Sequence, residues 1–309
     1  MRLLKILLII ILLVSVLSDY NLIAQEKSSV CFSFDDGNPN DILDYQYFEW
    51  NSLILNQLED FNLQAVIYVC GKNLDNEDGK KVLDSWDRAG HIIANHTYSH
   101  FNYNNPKNDF EEYKADILKC DSLIRNYNNY QKYFRAPFLK SGETKAKRDS
   151  LIAFLESIDY KNGYVTIDDS DWFINMRLIE FMENSPDKSI KEYKKYYIDH
   201  LLERANYYDE LAFKLFGRKI KHSILLHHNL TSALFLGDLI RAFEKADWQV
   251  IDADVALTDS VYEMIPDIVP SGESIIWGLA KESGKFDDML RYPAEDSPYE
   301  EEKMNKLGL

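Results

Sequence analysis

The sequence predicts an α/β fold, a parallel sheet covered by helices that can close as a barrel, on three observations. Short apolar, β-rich runs alternate with amphipathic helical segments from Val30 to Asp252. Strands followed regularly by helices build a parallel sheet covered by those helices. The chain has 309 residues, 46% of them apolar, with only 12 Gly and 8 Pro, enough to bury one substantial core. Polar residues with chemical potential fall where the apolar runs stop, and in such folds the chemistry collects at strand ends.

The elements follow in order. Met1, Arg2 and Lys5 precede a twelve-residue apolar run, Ile6 to Leu17, broken only by Ser15. The run is too short to cross a bilayer comfortably. With small residues beyond it (Val16 and Ser18, or Ala24), it reads as a secretory signal peptide over 1–24, an uncleaved anchor being the alternative. This reading exports the mature chain to the periplasm or the extracellular medium, with no stable membrane span after cleavage. VCFSF, AVIYVC, HIIAN, KYFRA, GYVTI, SILLHH and WQVID are the expected strands, with helices near 49–60, 79–89, 109–126, 145–157 and 234–246.

A charged, Tyr-rich helical pattern at about 173–221 breaks the rhythm and reads as an insertion packed on the barrel, its aromatics forming a core stripe. The catalytic domain is therefore set at 25–255 and a C-terminal extension at 256–309. The acidic composition beyond Glu282 leads us to expect the last fifteen or so residues to be poorly ordered. Three cysteines, Cys31, Cys70 and Cys120, make no disulfide framework and read as buried thiols. Thirty-five basic against 51 acidic residues give a net charge of −16, which argues against nucleic-acid or anionic-membrane partners.

The first strand delivers Asp35-Asp36-Gly37, two carboxylates running into a glycine turn, a pattern that alone means only a turn. HIIAN runs into His96-Thr97-Tyr98-Ser99-His100; if that stretch is helical, histidines four apart can reach one ion. One carboxylate and two histidines supply three protein ligands and leave a coordination position open, the arrangement of a catalytic metal. Arg135 in FRAPF, Asp168 and Asp171 in IDDSDW, and His227 in SILLHHN also fall at strand ends.

In this order FSFDDG, HTYSH, FRAPF, DDSDW and ILLHH resemble the five motifs of the polysaccharide deacetylases, the NodB-homology group or carbohydrate esterase family 4. The resemblance covers roughly Val30 to Asp252 and implies a distorted (β/α) barrel of the NodB-homology type, with the helical insertion before the last motif. It implies that Asp36, His96 and His100 hold a divalent metal, normally zinc, and that Asp35 is the general base. It further implies that Arg135 keeps Asp35 ionised, that His227 is the general acid with Asp171 raising its pKa, that the backbone N–H of Phe138 stabilises the oxyanion, and that Trp172 walls the groove. Adjacent His228 leaves an ambiguity. Strand alternation sends the two imidazoles to opposite faces, and the motif register selects His227. Asp169 is expected to be solvated, and His91, His200 and His222 to be structural or surface residues. The third motif departs from the family, running from Phe138 into Leu139-Lys140-Ser141-Gly142 rather than into an aromatic residue and a glycine.

The implied activity is a secreted, metal-dependent deacetylase removing N-acetyl groups, or esterified acetyl groups, from a chitin-like or peptidoglycan amino-sugar polymer or oligomer. The alternatives are a carbohydrate-binding protein on an inactive deacetylase scaffold and a cyclic-imide or ureide hydrolase on the same fold.

Overall fold

The computed structural model describes residues 27–291 and 297–309, so the expected leader, 1–24, lies outside the described residues. Seven parallel strands form one sheet: β1 (Ser29–Asp36), β2 (Val66–Val69), β3 (Ile92–Asn95), β4 (Tyr130–Phe134), β5 (Lys161–Asn162), β6 (Lys221–His227) and β7 (Gln249–Val250). The spatial order is β5-β4-β3-β2-β1-β6, with β7 pairing the start of β1. β1 is central, and its residues from Ser29 to Asp35 are all buried, Ser33 among them with its hydroxyl donating to Ile224 O at 2.7 Å.

The helices of two turns or more are α1 (Tyr47–Asp60), α2 (Glu77–Arg88), α3 (Phe110–Ile124), α4 (Lys145–Ser157), α5 (Asp171–Asn184), α6 (Lys191–Phe216), α7 (Leu230–Lys245), α8 (Ile275–Ser283) and α9 (Ser297–Leu307). Side-chain caps fix where several begin: Asn76, Asp109, Thr144 and Asn229 each accept the N–H of the residue three positions on.

Register decides what the sheet presents. Asp35 pairs with Tyr68 on β2 and His227 on β6, Val69 pairs with Asn95, and Asn95 pairs with Phe134. The residues that follow these positions, His96 and Arg135 among them, therefore emerge at one level of one sheet end. GYVTI is not the full strand its composition suggests. β5 ends at Asn162, and the chain then crosses to the opposite edge, where Thr166 and Ile167 donate to Ser223 O at 3.1 Å and Leu225 donates to Ile167 O at 3.1 Å. Residues 161–167 thus link the β4 edge to the β6 edge and complete the half-barrel sheet.

The insertion is two helices rather than one pattern, α5 and α6, broken around Pro186, where the ring cannot continue a helix. Along α6, Tyr193, Tyr196, Tyr197, Leu201, Tyr208 and Leu211 are buried at helical spacing, the core stripe that their periodicity implies. The expectation of a poorly ordered tail is not met within 297–309, which form α9 and its end. Met304 is fully buried there, and Glu300 accepts from Arg204 of α6 at 2.6 Å, so one buried apolar residue and one buried ion pair outweigh an acidic composition. All three cysteines are free and buried, and burial pushes the Cys31 and Cys70 thiols up to about 12. Among the described residues, no helix is long and apolar enough to cross a membrane.

Ile167 is fully buried at the join between the two sheet edges. Ile167→Ala is expected to cost about 2 to 5 kcal/mol in urea unfolding; a change below about 0.5 kcal/mol would mean that this segment is not a structural part of the barrel.

Candidate active site

Consecutive strand residues point to opposite faces, so Asp35 and Asp36 cannot share a pocket while both remain extended. The backbone resolves this. Asp36 has φ 77° and Gly37 φ 81°, and Gly37 N–H donates back to Asp35 O at 3.1 Å, turning the strand end over itself. A Cβ on Gly37 would stand 2.4 Å from the Leu74 side chain, so this turn needs glycine on two grounds.

Asp35 is buried beside a buried cation. Arg135 Nη1 donates to Asp35 Oδ1 at 2.6 Å and to Ser33 Oγ at 3.0 Å, its Nε donates to Gly163 O at 2.8 Å, and the guanidinium lies 3.9 Å from the Tyr68 ring centre.

His96 and His100 do converge, but not through a helix. β3 ends at Asn95, whose Oδ1 accepts Thr97 N–H at 2.9 Å; Asp116 of α3 accepts the N–H groups of Tyr98 and Ser99 at 3.0 and 2.8 Å; and Thr97 Oγ1 accepts His100 N–H at 3.1 Å. Thr97 and His100 are left-handed, with φ 65° and 59°. This loop brings the two imidazoles to a centroid separation of 5.2 Å. His96 Nδ1 donates to Arg135 O at 2.8 Å, which fixes the tautomer and leaves Nε2 with its lone pair. Burial holds the His96 pKa below its usual value. The neutral form is the one that can coordinate.

Asp36 Oδ1 is buried without a well-directed hydrogen bond, and the Nε2 atoms of His100 and His96 stand 3.2 and 3.7 Å away. One ligating atom from each of the three residues lies within 4.8 Å of the others. Burial alone would raise the Asp36 pKa, but His100 beside it and the fields of His227 and His96 hold it well below the usual carboxylate range. An orphaned buried carboxylate oxygen facing two imidazole nitrogens is a donor set that suits a divalent cation, and its chemistry fits zinc.

Across the cavity, Asp171 at the start of α5 is fully buried. It accepts His227 Nδ1–H at 2.5 Å through Oδ1, and through Oδ2 it accepts the His227 backbone N–H at 2.9 Å and Asn229 Nδ2–H at 3.2 Å. Burial opposes the charge on His227, yet Asp171 outweighs it and raises the imidazole to about 10. His228 points the other way, into the core. It accepts Asn38 N–H at 3.0 Å through Nδ1, donates to Asn51 Oδ1 at 2.9 Å through Nε2, and packs against Trp50 at 4.5 Å and Trp86 at 5.7 Å between centroids. Burial depresses it to about 3, so it stays neutral.

Asp35, Asp36, His96, His100 and His227 line one cavity of about 540 Å³. Its rim carries two aromatics: Phe138, 55% exposed, left-handed at φ 55° and 4.5 Å from the His100 ring, and Trp172, 38% exposed. His91, His200 and His222 are buried away from it. Asp169 is a correction. It is buried, not solvated; its Oδ1 accepts Asp171 N–H at 2.9 Å, its Oδ2 has no hydrogen-bond partner among the described residues, and burial with the neighbouring Asp171 charge raises its pKa well above the usual range. Sequence reading also passed over Asn102 and Lys140, which line the cavity from irregular segments and carry no periodic signal.

Residues 23–153 match the family described as polysaccharide deacetylase. Over 122 residues the chain is 30% identical to the peptidoglycan-N-acetylglucosamine deacetylase of Bacillus cereus, covering 39% of this chain and 40% of that protein, so the chain spans well under half of that relative's length. Among solved structures, the chitin deacetylase of the fungal pathogen Colletotrichum lindemuthianum aligns with TM-score 0.52 at 16% identity, over 76% of this chain and 89% of that one. A carbohydrate esterase family 4 pseudoenzyme from Bacillus anthracis aligns with TM-score 0.51 at 16% identity, over 75% and 66%. The likeness to both is one of fold. Because one is described as a deacetylase and the other as a pseudoenzyme, the fold alone does not decide activity; the side chains do.

The His227–Asp171 pair gives a signed expectation. A raised pKa keeps the imidazolium protonated through neutral pH and releases the proton only near pH 10. Followed by NMR in metal-free protein, His227 should titrate well above 6.5, and Asp171→Asn should bring its midpoint down by more than one unit. An unmoved midpoint would remove Asp171 as the cause.

Proposed function

We propose that this chain, a member of the polysaccharide deacetylase family, is a metal-dependent hydrolase that removes N-acetyl groups from a chitin-like or peptidoglycan amino-sugar polymer or oligomer, with O-acetyl esters as the related substrates. One observation carries the reading: the Asp36, His96 and His100 donor atoms converge within 4.8 Å, with Asp35–Arg135 on one side and His227–Asp171 on the other, around one cavity.

Asp36, His96 and His100 would hold the cation, zinc on their nitrogen and oxygen donors. When bound, it supplies Lewis acidity, acidifying a water and polarising the acyl oxygen. The rest falls to the protein. Asp35, ion-paired with Arg135 at 2.6 Å, takes the proton of the attacking water. His227, kept protonated by Asp171, gives the leaving amine its proton, so water and amide become acetate and amine. The N–H of Phe138 receives the charge that develops on the acyl oxygen. The Phe138 and Trp172 rings offer apolar faces to a sugar.

In the same reading residues 1–24 are a cleaved leader, 25–255 the catalytic domain with its insertion, and the product acts outside the cytoplasm. Export weighs against the cyclic-imide or ureide hydrolase. Every position that the hydrolysis needs carries a competent side chain, which weighs against an inactive binding scaffold.

Acetate release from chitooligosaccharides, peptidoglycan and acetylated xylan tests reaction and substrate together. Release from the amino-sugar substrates is expected, and none from any of the three overturns the proposal. Within an active enzyme, Asp36→Ala, His96→Ala and His100→Ala should each lose metal and turnover together, whereas Asp35→Asn should keep its metal and lose about 10² to 10⁴ in rate. Stoichiometric metal in the three alanine variants, or normal turnover in Asp35→Asn, would reassign these roles.

A further inference from the structure

The loop that follows the third motif is strained. Phe138 and Leu139 are consecutive non-glycine residues in the left-handed region, at φ 55° and 57°, a conformation that persists only where the surroundings impose it. Local hydrogen bonds, Leu139 N–H to Ala136 O at 2.9 Å and Lys140 N–H to Pro137 O at 3.0 Å, close the turn but do not hold its far side.

That side is held from the C-terminal extension, more than a hundred residues beyond the end of the family match at residue 153. Ser141 N–H donates to Ser271 O at 3.0 Å and Ser271 N–H returns to Gly142 O at 2.7 Å, a two-way backbone pairing. The Ser141 and Ser271 hydroxyls meet at 2.9 Å. Asn104 braces both partners, donating to Ser271 O at 3.1 Å and accepting Gly142 N–H at 2.7 Å. Gly272 packs so tightly that a Cβ there would stand 2.5 Å from Leu139 O. Lys140, which lines the cavity, is ion-paired with Glu273. The segment is itself anchored to the residues that join the sheet edges, through Ser274 Oγ–H to Thr166 O at 2.8 Å and Ile275 N–H to Val165 O at 2.9 Å.

We infer that residues 271–274 form a strap that positions the Phe138–Leu139 turn for catalysis, so that the C-terminal extension completes the active site. The inference rests on the deacetylase reading, in which Phe138 N–H meets the acyl oxygen. None of the strap residues touches substrate; they are positioning residues, and the Lys140–Glu273 pair is their charged fastening. Lys140 carries three N–H donors, so the competing account is that it binds the glycan directly.

The test compares E273K, K140E, the swapped double variant K140E/E273K, and E273Q, all as metal-loaded full-length protein. Two readouts are taken: kcat and KM for acetate release, and amide hydrogen exchange over residues 137–142. Placing like charges together should loosen the loop and lower kcat by about 10²-fold, the scale of a misplaced catalytic group, with KM and metal content little changed. E273Q should do the same more weakly, and the swap should restore both exchange protection and kcat. Normal kcat and protection in E273K and K140E would overturn the strap. A swap that restores protection but not turnover, or a loss confined to KM, would also overturn it in favour of direct binding by Lys140. A wild-type enzyme that releases no acetate fails the deacetylase reading by itself, while the exchange comparison still decides whether the strap holds the loop.

Discussion

Two consecutive carboxylates, Asp35 and Asp36, open onto one cavity, and giving each its own compensating partners there is the constraint that the rest of the site answers. The two receive different partners. Asp35 takes the guanidinium of Arg135, a buried cation held between Ser33 Oγ, Gly163 O and the face of Tyr68. Asp36 takes the open edge facing the imidazoles of His96 and His100. The proposed base and the proposed metal ligand are thereby separated by environment, although they are adjacent in sequence and identical in chemistry.

The parallel sheet makes this division possible. Arg135 follows β4, three strands from β1, and reaches Asp35 only because the strand ends lie in register and the side chain can cross the interior above Tyr68. The crossing leaves no spare room: a Cβ on Gly163 would sit 2.4 Å from the Tyr68 ring, so the residue accepting Arg135 Nε–H through its carbonyl must also be the residue with no side chain. On the far side, β6 supplies His227, and Asp171 at the start of α5, just ahead of the insertion, holds its Nδ1–H. The helix that runs on into the insertion thus begins with the residue that tunes the proposed acid.

Much of this was legible in the sequence. The alternation of apolar runs with amphipathic helices gave the parallel sheet, and strand alternation separated His227 from His228, because a period of two is a backbone property that needs no tertiary knowledge. Spacing also brought His96 and His100 together, but by the wrong route. Their convergence depends on Asn95, Thr97 and Asp116 folding a loop, and side-chain bonds to a backbone leave no periodic trace. GYVTI has strand composition yet contributes a crossing and a single bridge, Ile167 to Ile224, because its pairing partner lies at the opposite sheet edge. Asp169 looked solvated because polar runs usually are, whereas its burial follows from the tight turn into α5. Composition also misjudged residues 297–309, which buried Glu300, bonded to Arg204 and Tyr196, and the side chain of Met304 help dock on α6. The strap at 271–274 was invisible for the same reason: backbone pairing between irregular segments has no sequence signature.

The central claim is that the Asp36, His96 and His100 cluster makes hydrolysis possible by holding one divalent cation beside a separately charged base. Titrating zinc into metal-stripped wild-type protein while recording acetate release and bound metal tests it most directly. The account predicts no release from stripped protein and turnover rising in proportion to occupancy until one ion is bound per chain. Full turnover in stripped protein, or one ion bound per chain with no acetate released from any amino-sugar substrate, would contradict it.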